Sequence, residues 1–367
     1  MLSEPRSVHT EKWSRYFLER GHDVILLSLT PFEMNLPGLK EYRLWKGTPW
    51  LEKADYLLAL PKLKKILHQL KPNIFHTHYA TKWGWLGALS GYHPFILTAW
   101  GSDILIEANK SIYHRFLTRY ALRRADAVTA NSNYVLERAG ALGALPRVSQ
   151  VIQFGIDLKI FKEKPSEELR NKLNIPQNSP VIFSPRLMKP IYNIETIIEA
   201  LAGVVKRYPG VVLLLIQYPV NSYSEKIKSM VSALNLDNNI RWVGKIPLEK
   251  MPLYYSLATV TLSIPFSDSA AVSVLEAMAC GSIPIVSDLP ALREIVTEAQ
   301  NGFLVPSQDP DALAKRIIEV LENPGMMEKI RKTNFRTVRE KADQNIWMVK
   351  MEELYYRLRE RRLRHGA

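Results

Sequence analysis

Two carboxylates stand eight positions apart in the stretch from Ser267 to Gly281: Asp268, then Glu276, with Cys280-Gly281 closing the segment. Ala270 to Ala279 are mostly strong helix formers, Ser269 is a good N-cap, and Gly281 stands where helices stop. The strand-like Val260 to Ile264 comes just before, so the unit reads strand, loop, helix. The start of such a helix offers unbonded amides and the positive end of its dipole, which attract phosphate, while carboxylates on either side accept hydroxyl hydrogens. The pattern suits a phosphate-bearing ligand with two sets of hydroxyls. An ordinary capped helix accounts for the same residues.

At 367 residues the chain predicts two domains rather than one core. Strand and helix patterns alternate in two runs, which predicts parallel sheets covered by helices on both faces. The first run reads helix Val8 to Arg20, strand Asp23 to Ser28, helix Asp55 to Gln69, strands Ile74 to His76 and Phe95 to Thr98. Helix Lys110 to Arg124, strand Ala127 to Ala130, helix Ser132 to Leu142 and strand Val148 to Ile152 complete it. The pattern restarts at strand Val181 to Ser184 and runs through helix Ala291 to Thr297 to helix Pro310 to Glu322; between the runs, Phe154 to Asp157 and the polar Lys162 to Ser179 form a linker. A final helix from about Asn345 to Arg362 has Ile346, Met348, Met351, Leu354, Tyr355 and Leu358 at helical spacing. Only Met1 to Glu4 precede Pro5-Arg6-Ser7, so the first strand, usually central in a doubly wound sheet, is a stub or begins upstream.

The single cysteine, Cys280, excludes an internal disulfide and a cysteine-built metal site, and suits a reducing cytoplasm. No apolar run has the length of a membrane span, and Glu4, Arg6, Glu11 and Lys12 interrupt any signal-peptide core. A net charge of +13 calls for an anionic partner: lipid, nucleic acid or phosphorylated substrate. The excess is concentrated in Lys62, Lys64 and Lys65, in Arg115, Arg119, Arg123 and Arg124, and in Arg357, Arg359, Arg361, Arg362 and Arg364. No nucleic-acid-binding module is recognisable, which disfavours that partner. Docking at the inner face of the cell membrane and merely solvated basic faces both account for the clusters.

The segment Asp268 to Gly281 resembles the donor-site signature of family 4 retaining glycosyltransferases, which have the GT-B fold. Glu276-Ala-Met-Ala-Cys-Gly281 matches closely; Asp268 stands where that family usually has glutamate. Ser7 to Trp13 with Arg20 to Val24, Pro72 to His78, Thr98 to Asp103, Phe154 to Asp157, Asn301 to Val305 and Trp347 to Tyr355 are similar to further family features, in family order. The resemblance implies an α/β protein with two Rossmann-like, doubly wound domains facing each other across a cleft. Residues 1–155 would be the acceptor-side domain, 156–343 the nucleotide-sugar domain, and 344–367 a helix returning to the first.

It further implies that Glu276 bonds the ribose hydroxyls, Asp268 the hydroxyls of the transferred sugar, and the amides near Ala271 and Val272 the diphosphate. Arg186 matches the family's diphosphate arginine, whereas Ile191 occupies the place of its lysine and Lys189 lies two residues earlier. Trp100 stands where the family often has a histidine; it stacks on sugars but is neither acid nor base. Asp103 is then the nearest ionisable candidate, with helix capping as its other reading. His9, beside Arg6, reads as acceptor-side. His76 and His78 share one face of a strand, but a metal site with His9 is disfavoured because no carboxylate or cysteine accompanies them. The implied activity is metal-independent, needs no cofactor, and transfers a sugar with retention from a nucleoside diphosphate, uridine ahead of guanosine, to a glycan or lipid-linked hydroxyl. The missing lysine, Trp100 and the short N-terminus leave open a nucleotide-sugar-binding protein without transferase activity. A sugar-nucleotide epimerase on the same fold lacks supporting residues.

Overall fold

The computed structural model describes residues 1–31, 34–44, 58–143, 146 and 148–365. The chain divides into two compact units: Met1–Phe154 together with the residues from Ile346 on, and Gly155–Asn345.

In the first unit, six parallel strands are β1 (Ile25–Ser28), β2 (Lys40–Arg43), β3 (Phe75–His78), β4 (Phe95–Ala99), β5 (Ala127–Ala130) and β6 (Val148–Val151). β1 pairs with β2, and β3 to β6 follow one another; Leu2 bridges β1 and β3. The Leu2 amide donates to His76 O at 2.8 Å and the His78 amide donates back to Leu2 O at 3.0 Å. On its other edge the Leu27 amide donates to Met1 O at 2.8 Å and the Ser3 amide to Leu27 O at 3.2 Å. Three residues therefore supply the central strand of a doubly wound sheet. The helices are α1 (Val8–Glu19), α2 (Leu60–Leu70), α3 (Trp83–Ser90), α4 (Ile112–Arg124) and α5 (Asn133–Leu142). The expected start of α2, Asp55 to Leu57, lies outside the described residues.

Two elements of this unit escape the sequence pattern. β2 is a largely exposed Lys-Glu-Tyr-Arg edge, polar enough to read as loop. α3, Trp-Gly-Trp-Leu-Gly-Ala-Leu-Ser, holds two glycines and is buried from Trp83 to Ala88, so it lacks the polar face that marks a surface helix. A Cβ on Gly87 would come within 2.6 Å of Thr77 and 2.9 Å of Phe95. Packing against β3 and β4, not propensity, fixes this helix.

In the second unit, β7 (Val181–Ser184), β8 (Val212–Ile216), β9 (Ile240–Val243), β10 (Val260–Ser263), β11 (Ile283–Ser287) and β12 (Phe303–Val305) form one parallel sheet in the order β12-β11-β10-β7-β8-β9. The order reverses at β7 and β10, the switch point where doubly wound sheets open a crevice beyond their strand ends. Its helices of seven or more residues are α6 (Ile194–Arg207), α7 (Ser222–Ala233), α8 (Met251–Leu257), α9 (Val272–Ala279), α10 (Pro310–Glu322) and α11 (Pro324–Lys341). Strand residues alternate between two cores: Leu213 and Leu215 join one, Val212, Leu214 and Ile216 the other. The expected helix Ala291 to Thr297 is a single turn, Pro290–Arg293. α11, 18 residues long, opens on Pro324, and a proline at a helix's first position is compatible with a start.

The last helix spans Gln344–His365. Met348, Met351, Leu354 and Leu358 are buried as expected, but Ile346 is 37% exposed. Tyr355 bonds through its hydroxyl to His76 Nδ1 at 2.5 Å and stacks on Phe17; Glu352 receives Arg20 Nε and His22 Nε2, each at 2.7 Å. In the second unit, the residues next to both crossing points pair with each other: the Ile156 amide donates to Ala342 O at 2.8 Å and the Gln344 amide to Ile156 O at 3.0 Å. Gly155 is required there, since its φ is +61° and a Cβ would lie 2.5 Å from Gln344 Cα.

Candidate active site

Arg186 leaves the end of β7 and reaches sideways to β10, where its Nε and Nη2 donate to Ser263 Oγ at 2.8 and 2.6 Å. Nη2 also donates to Asp268 Oδ2, an ion pair whose side chains are only 12% and 13% exposed. Burial, the largest single influence, works against the guanidinium's charge, but Asp268, by charge and hydrogen bond, together with Tyr192 and Tyr255 more than offsets it, so Arg186 stays above its usual range. The Tyr192 ring lies 5.0 Å below the guanidinium. The opposite oxygen of Asp268 receives the Ser269 amide at 2.8 Å, so this carboxylate is fixed by both its neighbour and its ion pair.

Glu276 lies inside α9, 8% exposed, and Tyr255 Oη donates to its Oε2 at 2.8 Å. Burial first, then the Glu276 charge, pushes the Tyr255 hydroxyl well above its usual range, so it remains a donor. α9 begins later than its composition predicts: Ala271, not Ser269, stands at the N-cap, with no side-chain cap. The Val272 amide turns back onto Ala270 O at 2.8 Å. Among the described residues, the amides left without a partner at this helix start are those of Ala271 and Ser273, and the buried Ser273 hydroxyl also lacks one. Gly281, at φ +83°, ends the helix as expected. Cys280 is fully buried, and burial pushes its thiol up to about 12. Lys189 is exposed on the loop before Pro190–Tyr192.

The first unit gathers a different set. His76 is bonded at both ring nitrogens, by Tyr355 and by Thr98 Oγ1 at 2.6 Å. Trp100 Nε1 donates to His78 Nδ1 at 3.2 Å. An indole only donates, so His78 carries its proton on Nε2, which has no partner. His9 stacks on Phe154 with ring centroids 4.1 Å apart and meets Trp100 edge-on. Burial lowers all three histidines, His9 and His78 to about 3 and His76 well below its usual value, so the cluster is neutral. Among the described residues, no group of three or more metal-ligating side chains converges.

Asp103 is fully buried and accepts the amides of Ala80 at 2.6 Å, Gly101 at 2.7 Å, Ile104 at 3.0 Å and Trp100 at 3.1 Å. Burial raises its pKa, and these amides oppose the rise. Four backbone donors are what the second of its two sequence readings, a cap, requires. Arg6 sits on an exposed turn with its Nε on Glu4 Oε1 at 3.0 Å. Ser263, Tyr255, Tyr192 and Ser273 were not singled out from sequence.

The pattern described as "Glycosyl transferase 4-like" matches residues 1–132 and "Glycosyl transferases group 1" matches residues 165–337. The N-acetyl-alpha-D-glucosaminyl L-malate synthase of Bacillus anthracis is 20% identical over 92% of this chain and 90% of its own. A D-inositol 3-phosphate glycosyltransferase of Acidothermus cellulolyticus is 25% identical over 51% of this chain, the match covering 43% of that protein. Among solved structures, Anabaena HepE in complex with UDP and glucose superposes with a TM-score of 0.84 at 18% identity, covering 97% of this chain and 99% of that one. The chain belongs to the family 4 type of glycosyltransferases, and its fold is GT-B.

Proposed function

We propose that the protein transfers a sugar from a nucleoside diphosphate, with uridine ahead of guanosine, to a hydroxyl of a glycan or lipid-linked acceptor, retaining configuration and requiring no metal. The observation that carries this reading is the buried Arg186–Asp268 pair beyond the adjacent strands β7 and β10, with Glu276 fixed by Tyr255 in α9, the helix that follows β10. The relative crystallised with UDP and glucose supports the choice of uridine. In the reaction, the bond between the sugar's C1 and the diphosphate oxygen breaks and its electron pair leaves with the nucleoside diphosphate. The acceptor oxygen bonds C1 on the same face, and its proton passes to the departing phosphate oxygen.

Arg186 offsets the charge that grows on the diphosphate, joined by the amides of Ala271 and Ser273. Asp268 takes hydroxyls of the sugar beside that diphosphate, which fits its direct contact with Arg186. Glu276, fixed by Tyr255, takes the ribose. Lys189 is a second phosphate cation on the loop after β7, Trp100 stacks on the donor sugar, and His9 with Arg6 belongs to the acceptor side. No described helix is long and apolar enough to cross a membrane, and a lipid-linked acceptor would be met at the membrane's cytoplasmic face.

The test is incubation with a panel of nucleoside-diphosphate sugars and acceptors, reading free nucleotide, with and without chelator. Acceptor-dependent release that is unaffected by chelator is expected, and the anomeric coupling of the product reports retention. Tight nucleotide binding with no release from any pair would instead make this a nucleotide-sugar-binding protein.

A further inference from the structure

We infer that the outward face of α4 is a membrane-docking surface whose partner is an anionic lipid bilayer. The helix buries Thr118, Ala121 and Leu122. On the opposite side, Ile112, Phe116, Arg119 and Arg123 follow one another at spacings of four, three and four residues, a single stripe. Ile112 is 89% exposed, the largest value for a large apolar side chain among the described residues; Phe116 is 66% and the flanking Tyr113 52%. A surface helix ordinarily turns charge outward, so two large apolar groups at the N-terminal end of its exposed face call for a partner.

The charge around them selects the partner. Lys110, Arg115, Arg119, Arg123 and Arg124 are exposed. The carboxylates between 102 and 124 are withdrawn: Asp103 is buried, and Glu107 is half-buried between Thr81 and Lys110. At 1.5 Å per residue, Arg119 lies about 5 Å and Arg123 about 10 Å beyond Phe116 along the axis. An apolar tip followed by guanidinium groups at that depth matches acyl chains followed by phosphates. A second copy would set the same cations against each other across a two-fold interface. Positive groups continue past the end of α4, where Arg124 reaches His93 Nε2 at 3.1 Å and Arg362 of the last helix lies over Tyr92. α3 packs between α4 and α2, the helix that carries Lys62, Lys64 and Lys65.

This deepens the proposed function by choosing a lipid-borne acceptor over a soluble one, and it rests on that reading only for its purpose. The experiment is flotation of the full chain with vesicles of phosphatidylcholine alone or with phosphatidylglycerol, at low and high salt, with UDP affinity measured in parallel. Wild type should float with the anionic vesicles and be released by salt. Ile112→Ser with Phe116→Ser should weaken binding about ten-fold, since lost apolar burial is the hydrophobic half of the anchor. Arg119→Glu with Arg123→Glu should weaken it roughly 25-fold or more, each lost cation counting for about five-fold. Both variants should keep wild-type affinity for UDP. Absence of wild-type flotation, or flotation of both variants equal to wild type, overturns the inference. So does polyglutamate binding as tight as vesicle binding, or a dimer in sedimentation that Ile112→Ser with Phe116→Ser dissolves. Flotation without UDP binding would leave the docking surface standing and sink the transferase reading.

Discussion

The two units are built on the same doubly wound plan, yet what they hold beyond their strands differs in kind. In the second unit the groups are charged and bonded to one another: Arg186 to Asp268 and Ser263, Glu276 to Tyr255. In the first they are neutral and aromatic: His9, His78 and Trp100 in edge and stacking contact, with the Asp103 carboxylate held by backbone amides. All eight histidines of the chain lie in segments of the first unit, and none in the second. A parallel sheet supplies a place, and the residues after each strand decide whether the groups gathered there are charged or neutral.

The comparison breaks most readily at Arg186. Arg186→Ala should lower kcat by about 10²- to 10³-fold, the usual loss when a group facing developing negative charge is removed, with a smaller effect on donor KM. Steady-state kinetics showing kcat within a few-fold of wild type would move the charged chemistry elsewhere. Next comes Glu276→Gln, expected to weaken nucleotide binding by about 1.5 to 3 kcal/mol, the range for a hydrogen bond to a charged group. Titration calorimetry with the nucleoside diphosphate measures it, and unchanged affinity would remove Glu276 from the ribose.

Asp103→Asn sharpens the contrast from the other side. If its carboxylate serves the loop alone, urea unfolding should show a loss of about 1 to 3 kcal/mol while kcat of the folded enzyme holds near wild type. A hundred-fold drop in kcat at full stability would restore it as a catalytic residue. The last contrast is the pH dependence of the first unit. His9 and His78 have folded values near 3, below the ordinary value of 6.5, so the unfolded chain binds more protons between those limits. Their contribution is fully present above about 6.5 and lost as pH falls toward 3, by on the order of 1 kcal/mol per pH unit for each ring. Hydrogen exchange at pH 7 and pH 5 should show protection falling in the first unit more than in the second, and His9→Phe should flatten that difference.

Sequence by itself determined the sheet strands of the second unit, because short apolar runs between helical patterns leave few alternatives, and the last turn of α9, because Gly281 can take the left-handed conformation that ends it. It also placed Glu276 within a helix and Arg186 just after a strand. Tertiary structure decided the rest. Arg186 and Asp268 are 82 positions apart, and only the adjacency of β7 and β10 brings them together. Trp100 and His78 meet across neighbouring strands, 22 positions apart. α3 is a helix because its glycines admit β3 and β4 at contact distance, and Met1 to Ser3 act as a strand because two edges wait on either side. Propensity and periodicity act over one or two turns of chain. The partners of a buried charge, a ring or a three-residue strand are set by which crossovers lie side by side, and that is a property of the packed sheet.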